Sequence, residues 1–304
     1  LKYNELKRGL CQAWQSGFAK SSAVQGLFWA MGSNVCFVVL MVLNRMFRNY
    51  LPVTVIMWGR SMAAFLLILP FVKWNRMSQL WWVQLMRGVL ISGAIFCSYN
   101  AYRHLPVHIA ILIGATSPIF TMLMARFFLH ERIDRKRWIV FAIGCSGVVI
   151  LCHNFMKESW NFFIFLAFFG NFLAGSISIV SRWLALRQIC PQSLIAYGLV
   201  APCVVFSALV FMDPGVVFLD LKPFQWGFLA LLGGIGALSQ YATFRALMVA
   251  KASFVAPLEY TRLCFMIPAG YIFLGEVPTL GSYIGGALIV MASVRLFVWE
   301  MRKV

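Results

Sequence analysis

Residues 110–131, AILIGATSPIFTMLMARFFLHE, and residues 255–276, VAPLEYTRLCFMIPAGYIFLGE, are two versions of one segment. Aligned without a gap, Thr116 meets Thr261, Phe128 meets Phe273, Leu129 meets Leu274 and Glu131 meets Glu276. The register runs on through Trp138 and Tyr283, Ile139 and Ile284, and Ala142 and Ala287. A second echo, PVTVIMWG at 52–59 against PQSLIAYG at 191–198, lies upstream of each copy. The chain therefore reads as two related halves.

Composition says what the halves are. Of 304 residues, 62% are hydrophobic and only 12% charged, against about 25% charged in a soluble domain. A bilayer core of roughly 30 Å takes about 20 apolar residues per helix. Ten runs fit, near 24–43, 53–72, 84–102, 107–129, 138–153, 161–181, 192–212, 224–246, 252–274 and 280–298. They lack the alternation and the roughly 9–11-residue length of barrel strands. The expected fold is an all-α integral membrane protein of ten transmembrane helices. It divides into a cytoplasmic segment (1–23), a first five-span repeat (24–155), a second (156–298) and a short tail (299–304). Five spans per half is odd, so the second half enters the membrane from the opposite side. Such inverted repeats are the architecture of many secondary transporters, with the site between the halves.

The stretch LKYNELKRGLCQAWQSGFAK lacks the apolar core of a signal peptide, so the first span is expected to be retained. The chain starts at Leu1, so an upstream piece with the initiator Met is expected. Leu6, Leu10, Trp14 and Phe18 recur at helical spacing among Lys2, Lys7 and Arg8, which fits either an amphipathic surface helix or a flexible tail.

The net charge of +17 invites a nucleic-acid reading, but its distribution argues for topology instead. With the N-terminus inside, most basic residues, Arg87, Arg182 and Arg245 among them, fall on cytoplasmic segments, as the positive-inside rule requires. Both termini are then cytoplasmic, in what is expected to be a bacterial inner membrane. The eight cysteines form no CxxC or Cys/His cluster, and His104, His108, His130 and His153 are not at metal spacing. No metal or cofactor is expected. Neither a P-loop nor a Ser/His/Asp arrangement is present, which leaves an intramembrane enzyme as the alternative of a different class. The expected partners are a small-molecule substrate and membrane lipid, with no nucleic acid, in a monomer or weak dimer.

Candidate site residues are the polar groups where a hydrocarbon environment makes them costly. A charge at the bilayer centre costs roughly 2.5–3.5 kcal/mol on insertion scales, yet Glu259 and Arg262 sit one turn apart within a span, and Arg60 sits within another. They are read either as a structural ion pair or as a polarised site for a cargo with both charges. Asn34 and Asn171 lie at corresponding places in the two halves, as do Tyr99–Asn100 and Gln240–Tyr241. Tyr260 adjoins Glu259, and Trp58 is a further aromatic candidate. Gly114 and Ser117-Pro118 interrupt the fourth span, and Pro257 and Pro268 the ninth. Because Pro removes a backbone donor, matching interruptions point to the site. Glu131 and Glu276 lie at span ends and are expected to close a helix end or a gate.

Residues 103–138 (RHLPVHIAILIGATSPIFTMLMARFFLHERIDRKRW) and 244–278 (FRALMVAKASFVAPLEYTRLCFMIPAGYIFLGEVP) resemble the two EamA repeats of the drug/metabolite transporter superfamily. The Arg87-Gly88 dipeptide and the APLEYTRL element are similar to a branch containing S-adenosylmethionine uptake carriers. Leu129-His130-Glu131 departs from the family's LGE, and Leu263 stands where the first half has Pro118. The resemblance implies a secondary-active, alternating-access carrier of a small organic metabolite, and Glu259 with Arg262 or Arg60 points to a zwitterionic or cationic one (amino-acid-like or S-adenosylmethionine-like). An exporter of amino acids or lipophilic drugs is the other reading. The resemblance also implies a cavity lined by spans one, three, four, six, eight and nine.

Overall fold

The computed structural model describes residues 22–47, 50–72, 80–104, 114, 116–131, 135, 138–139, 142–143, 146, 162–187, 189–212, 222–274, 284, 287–288, 291 and 295. Their regular structure is helical throughout. The first half contributes α1 (Ser22–Phe47), α2 (Val53–Ile68, extended by a 3-10 turn at Leu69–Phe71), α3 (Trp81–His104) and α4 (Ser117–Phe128). The second contributes α5 (Phe162–Leu186), α6 (Pro191–Phe211), α7 (Pro223–Val249), α8 (Ala252–Leu258) and α9 (Thr261–Leu274).

Six of these, α1, α2, α3, α5, α6 and α7, are long and apolar enough to cross a membrane. A helix is the natural form for such segments, because lipid offers the backbone no hydrogen-bond partners. Pro191 and Pro223 open α6 and α7, at the position where a missing N–H costs nothing. The expectation of ten transmembrane helices is met in part. The described residues hold these nine helices, α4 covers only the later part of the fourth run, and the ninth run is broken into α8 and α9. The runs at 138–153 and 280–298, Glu276 and the N-terminal segment lie largely or wholly outside the described residues.

The halves interleave rather than standing side by side. Helix α1 packs on α7 and α9, α5 on α3 and α4, α2 on α6 and α7, α3 on α6, and α4 on α8. Each contact has a counterpart with the halves exchanged: α1–α7 corresponds to α5–α3, α2–α7 to α6–α3, and α1–α9 to α5–α4. Small residues allow the close approaches, as in membrane helix packing generally. A Cβ on Gly233 of α7 would lie 2.5 Å from the Ala63 Cβ of α2, and one on Gly88 of α3 would lie 2.9 Å from the Gly198 carbonyl of α6. The outer surface is apolar, with Phe28, Phe127, Phe165, Val204, Phe211 and Ile272 all exposed. Exposure of so many large apolar side chains suits lipid rather than water.

Candidate functional site

The interleaved helices enclose a cavity of about 300 Å³, at the small end of the usual range for ligand sites. Its wall is drawn from α1, α2, α3, α4, α5, α7, α9 and the α8–α9 break, and α6 contributes nothing to it.

The break is the centre of the site. Pro257 cannot donate to the helical ladder, and hydrogen bonding tightens to the i→i−3 pattern: Glu259 N–H donates to Ala256 (3.0 Å), Tyr260 to Pro257 (3.3 Å) and Arg262 to Glu259 (3.1 Å). The Leu258 carbonyl accepts from the Thr261 hydroxyl at 2.7 Å and from Asn34 Nδ2 at 2.8 Å. Asn34 Nδ2 also lies 2.9 Å from Thr261 Oγ1. The equivalent register in the first half is also interrupted, since Thr116 sits in a turn and α4 begins at Ser117.

The turn presents Glu259 and Tyr260 to the cavity, with Arg262 one turn on. Arg262 Nη2 lies 3.9 Å from Glu259 Oε2 and 3.5 Å from Asn34 Oδ1, and its guanidinium stacks 3.8 Å from the centre of the Phe37 ring. Ser117 of α4 lines the same cavity as the Glu259 carboxylate. Across the cavity Arg60 Nη1 donates to Tyr99 Oη at 3.2 Å. Asn171 and Gln240 also face the cavity, and Gln240 Oε1 is buried without a hydrogen-bond partner among the described residues.

The structure thus gathers Glu259, Tyr260, Arg262, Arg60, Tyr99, Asn171 and Gln240 on one wall system. Asn34 stands behind it, holding the break. Three candidates point elsewhere, for one geometric reason: successive helical residues are 100° apart. Asn100 follows Tyr99 and folds its amide back onto the Phe96 carbonyl at 2.8 Å. Tyr241 follows Gln240 and packs edge-on against Trp29. Trp58, two residues before Arg60, donates to Ser207 Oγ of α6 at 3.0 Å and meets Trp226.

Arg87, counted above with the cytoplasmic segments, is a cavity residue. Helix α3 begins at Trp81, so Arg87 lies well inside it, 4% exposed and on the cavity wall. Arg182 and Arg245 likewise lie within α5 and α7. The signal available beforehand was that Arg87 falls inside the apolar run at 84–102.

Glu131 plays the helix-end part expected of it. His130 adopts a positive φ of 49°, the backbone region that favours Gly. The chain turns there, and the Glu131 carboxylate accepts from the Ala252 N–H (3.2 Å) and the Ser253 N–H (3.0 Å) at the start of α8. Arg182 Nε lies 3.6 Å from the same carboxylate and its Nη1 donates to the Leu247 carbonyl. One carboxylate of the first half therefore pins the broken helix of the second. Among the described residues no group of His, Cys, Asp and Glu could hold a metal ion.

The model of the EamA-like transporter family matches residues 24–152 and 161–298. Similar chains include the pseudopaline exporter CntI of Pseudomonas aeruginosa, 28% identical over 212 residues, spanning 70% of this chain and 73% of that one. A riboflavin transporter of Rhizobium johnstonii is 28% identical over 293 residues, 93% of this chain and 94% of that one. The S-adenosylmethionine uptake transporter of Rickettsia prowazekii is 22% identical over 289 residues, 94% of this chain and 96% of that one.

Proposed function

The chain belongs to the EamA-like transporter family, and from that premise we propose that this multi-pass transporter is a secondary-active carrier of a small charged organic metabolite, zwitterionic or cationic, working by alternating access. The relatives carry three different cargoes and include both an exporter and an uptake carrier, so cargo chemistry has to be argued from this chain's own cavity.

The observation that carries the reading is the Glu259–Arg262 pair at the helix break. Burying two charges is costly, and their attraction offsets that cost only with close, well-bonded geometry. Here the pair is long, 3.9 Å, and Arg262 divides itself between Glu259, Asn34 and the Phe37 ring. A pair built for stability alone would close up. A pair held slightly open in a cavity keeps a carboxylate for a cargo ammonium or sulfonium and a guanidinium for a cargo carboxylate. Arg60, Asn171, Gln240, Tyr99 and Tyr260 complete the proposed binding surface. In this reading the repeats are inverted, both termini are cytoplasmic, and the protein works as a monomer or weak dimer in a bacterial inner membrane. The interleaved packing supports alternating access, because exchanging the conformations of the two halves reshapes every wall of the cavity together.

Glu259→Gln tests the reading, since it keeps shape and most hydrogen bonding but removes the charge. Affinity of the purified protein for L-lysine and for S-adenosylmethionine, followed by tryptophan fluorescence, is expected to fall about tenfold or more, the worth of a charged hydrogen bond. Unchanged affinity for both in a folded variant rejects the binding role. A variant that unfolds and is rescued by neutralising Arg262 assigns the pair to structure.

A further inference from the structure

Among the described residues, the cavity is lined by one carboxylate and three guanidiniums, those of Arg60, Arg87 and Arg262. The carboxylate, Glu259, is already shared with Arg262. Arg87 is the most deeply buried of the three and has only neutral hydrogen-bond partners among the described residues: its Nε donates to Ser181 Oγ of α5 at 2.8 Å and its Nη1 to the Leu194 carbonyl of α6 at 3.4 Å. A cation removed from water without a counter-charge is costly, and inside membrane proteins such groups characteristically face a cavity that serves function. The seat is shaped for the guanidinium. On α6, a Cβ at Gly198 would lie 2.5 Å from Arg87 Nη1.

Position adds to charge. Arg87 and Tyr99 are the first and last α3 residues on the cavity wall, and Tyr99 is the partner of Arg60. Twelve residues of helix separate them by about 18 Å along the axis, a span that side chains of Arg and Tyr length narrow from both ends. Among the described residues, the cavity therefore has a cation without an acidic partner toward each end.

We propose that Arg87 is a second anion-recognition group, and that the cargo is an extended zwitterion carrying at least two anionic groups, one taken by Arg87 and another by Arg60 or Arg262. The proposal rests on the carrier reading above and narrows it. The cargo class moves away from purely cationic metabolites and toward amino di- and polycarboxylates. The planar fork of Arg suits carboxylate geometry better than a lysine ammonium would.

Cadaverine, L-lysine and meso-2,6-diaminopimelate form a matched probe series, with the same carbon spacing between their nitrogens and none, one and two carboxylates. Binding to the purified full chain, followed by tryptophan fluorescence, is expected to tighten about tenfold with each carboxylate. Arg87→Gln is expected to erase the advantage of diaminopimelate over lysine while leaving the advantage of lysine over cadaverine. A wild-type protein that binds lysine as tightly as diaminopimelate, or binds neither, overturns the proposal. Parallel weakening of all three probes in Arg87→Gln also overturns it, because that is what a purely structural bolt between α3, α5 and α6 would give. Should Arg87→Gln fail to fold, Arg87→Lys and Gly198→Ala keep the charge but lose the fork or displace it. Each is expected to shrink the diaminopimelate-to-lysine ratio about threefold or more, and an unchanged ratio in both overturns the proposal. Glu259→Gln separates this result from the carrier reading: it should weaken all three probes, cadaverine included. If it leaves them unaltered while the Arg87 pattern holds, the Glu259 assignment falls and the Arg87 assignment stands.

Discussion

Asn34→Leu should loosen the ninth-span break and lower stability by about 2–3 kcal/mol. Leucine matches asparagine in approximate size but donates nothing. Asn34 is 2% exposed on α1, and its Nδ2 reaches both the Leu258 carbonyl at 2.8 Å and Thr261 Oγ1 at 2.9 Å. Losing it leaves the Leu258 carbonyl with the Thr261 hydroxyl alone among the described residues and removes an oxygen 3.5 Å from Arg262. Two buried hydrogen bonds at about 1 kcal/mol each, plus part of a charge-assisted one, give the figure. Since 1 kcal/mol moves the Tm of a few-hundred-residue chain by about 2–4 °C, the midpoint in detergent should fall by about 4–12 °C. A cysteine replacing Tyr260, 2% exposed, should react faster with a polar thiol reagent when combined with Asn34→Leu than when introduced alone. An unchanged midpoint with unchanged labelling would mean that Pro257 holds the break alone and that Asn34 has no positioning role.

Gly233→Ala drives a Cβ to 2.5 Å from Ala63 Cβ and 2.7 Å from the Ala64 nitrogen, and since backbone cannot step aside, a loss of about 1–3 kcal/mol is expected. Gly227→Ala on the same helix meets nothing within 4 Å and should be neutral or stabilising by up to about 1 kcal/mol. A similar midpoint for the two variants would count against tight α2–α7 packing. Glu131→Gln removes the charge that meets Arg182 and weakens the two bonds from Ala252 and Ser253. A cysteine replacing Ser253, 0% exposed, is expected to label about tenfold faster in that background, and equal labelling rates would deny Glu131 its hold on α8.

Much of this architecture was legible in the sequence because two signals are strong there. Apolar length marks membrane helices irrespective of packing, and the aligned 110–131 and 255–276 segments marked the repeat and placed both interruptions. Glu259 and Arg262 stood out because charge is rare in such segments. What the sequence did not carry is which way a helix faces. A helix apolar all round has no polar face to read, so Asn100 and Tyr241 looked as good as Tyr99 and Gln240, and Trp58 stood as a weaker candidate beside Arg60, although one or two residues of helical rotation turn all three out of the cavity. Arg87 was lost to the opposite error. An arginine near the edge of a run counts naturally with loop charges, and its burial depends on Ser181 and Leu194, more than ninety residues away in sequence. Glu131 could be named a helix-end residue, but the helix it caps lies in the other half and is a fact of tertiary structure.

Solute counterflow in sealed proteoliposomes, at matched expression of wild type and Glu259→Gln, tests the central claim most directly. Vesicles preloaded with unlabelled L-lysine, S-adenosylmethionine or diaminopimelate are offered the same solute as tracer outside. The account expects transient tracer accumulation for at least one of them in the wild type and its loss in Glu259→Gln. Equal accumulation in the two proteins would contradict the site, and no accumulation of any of the three, with chemical turnover of one by the detergent-solubilised protein, would contradict the carrier itself.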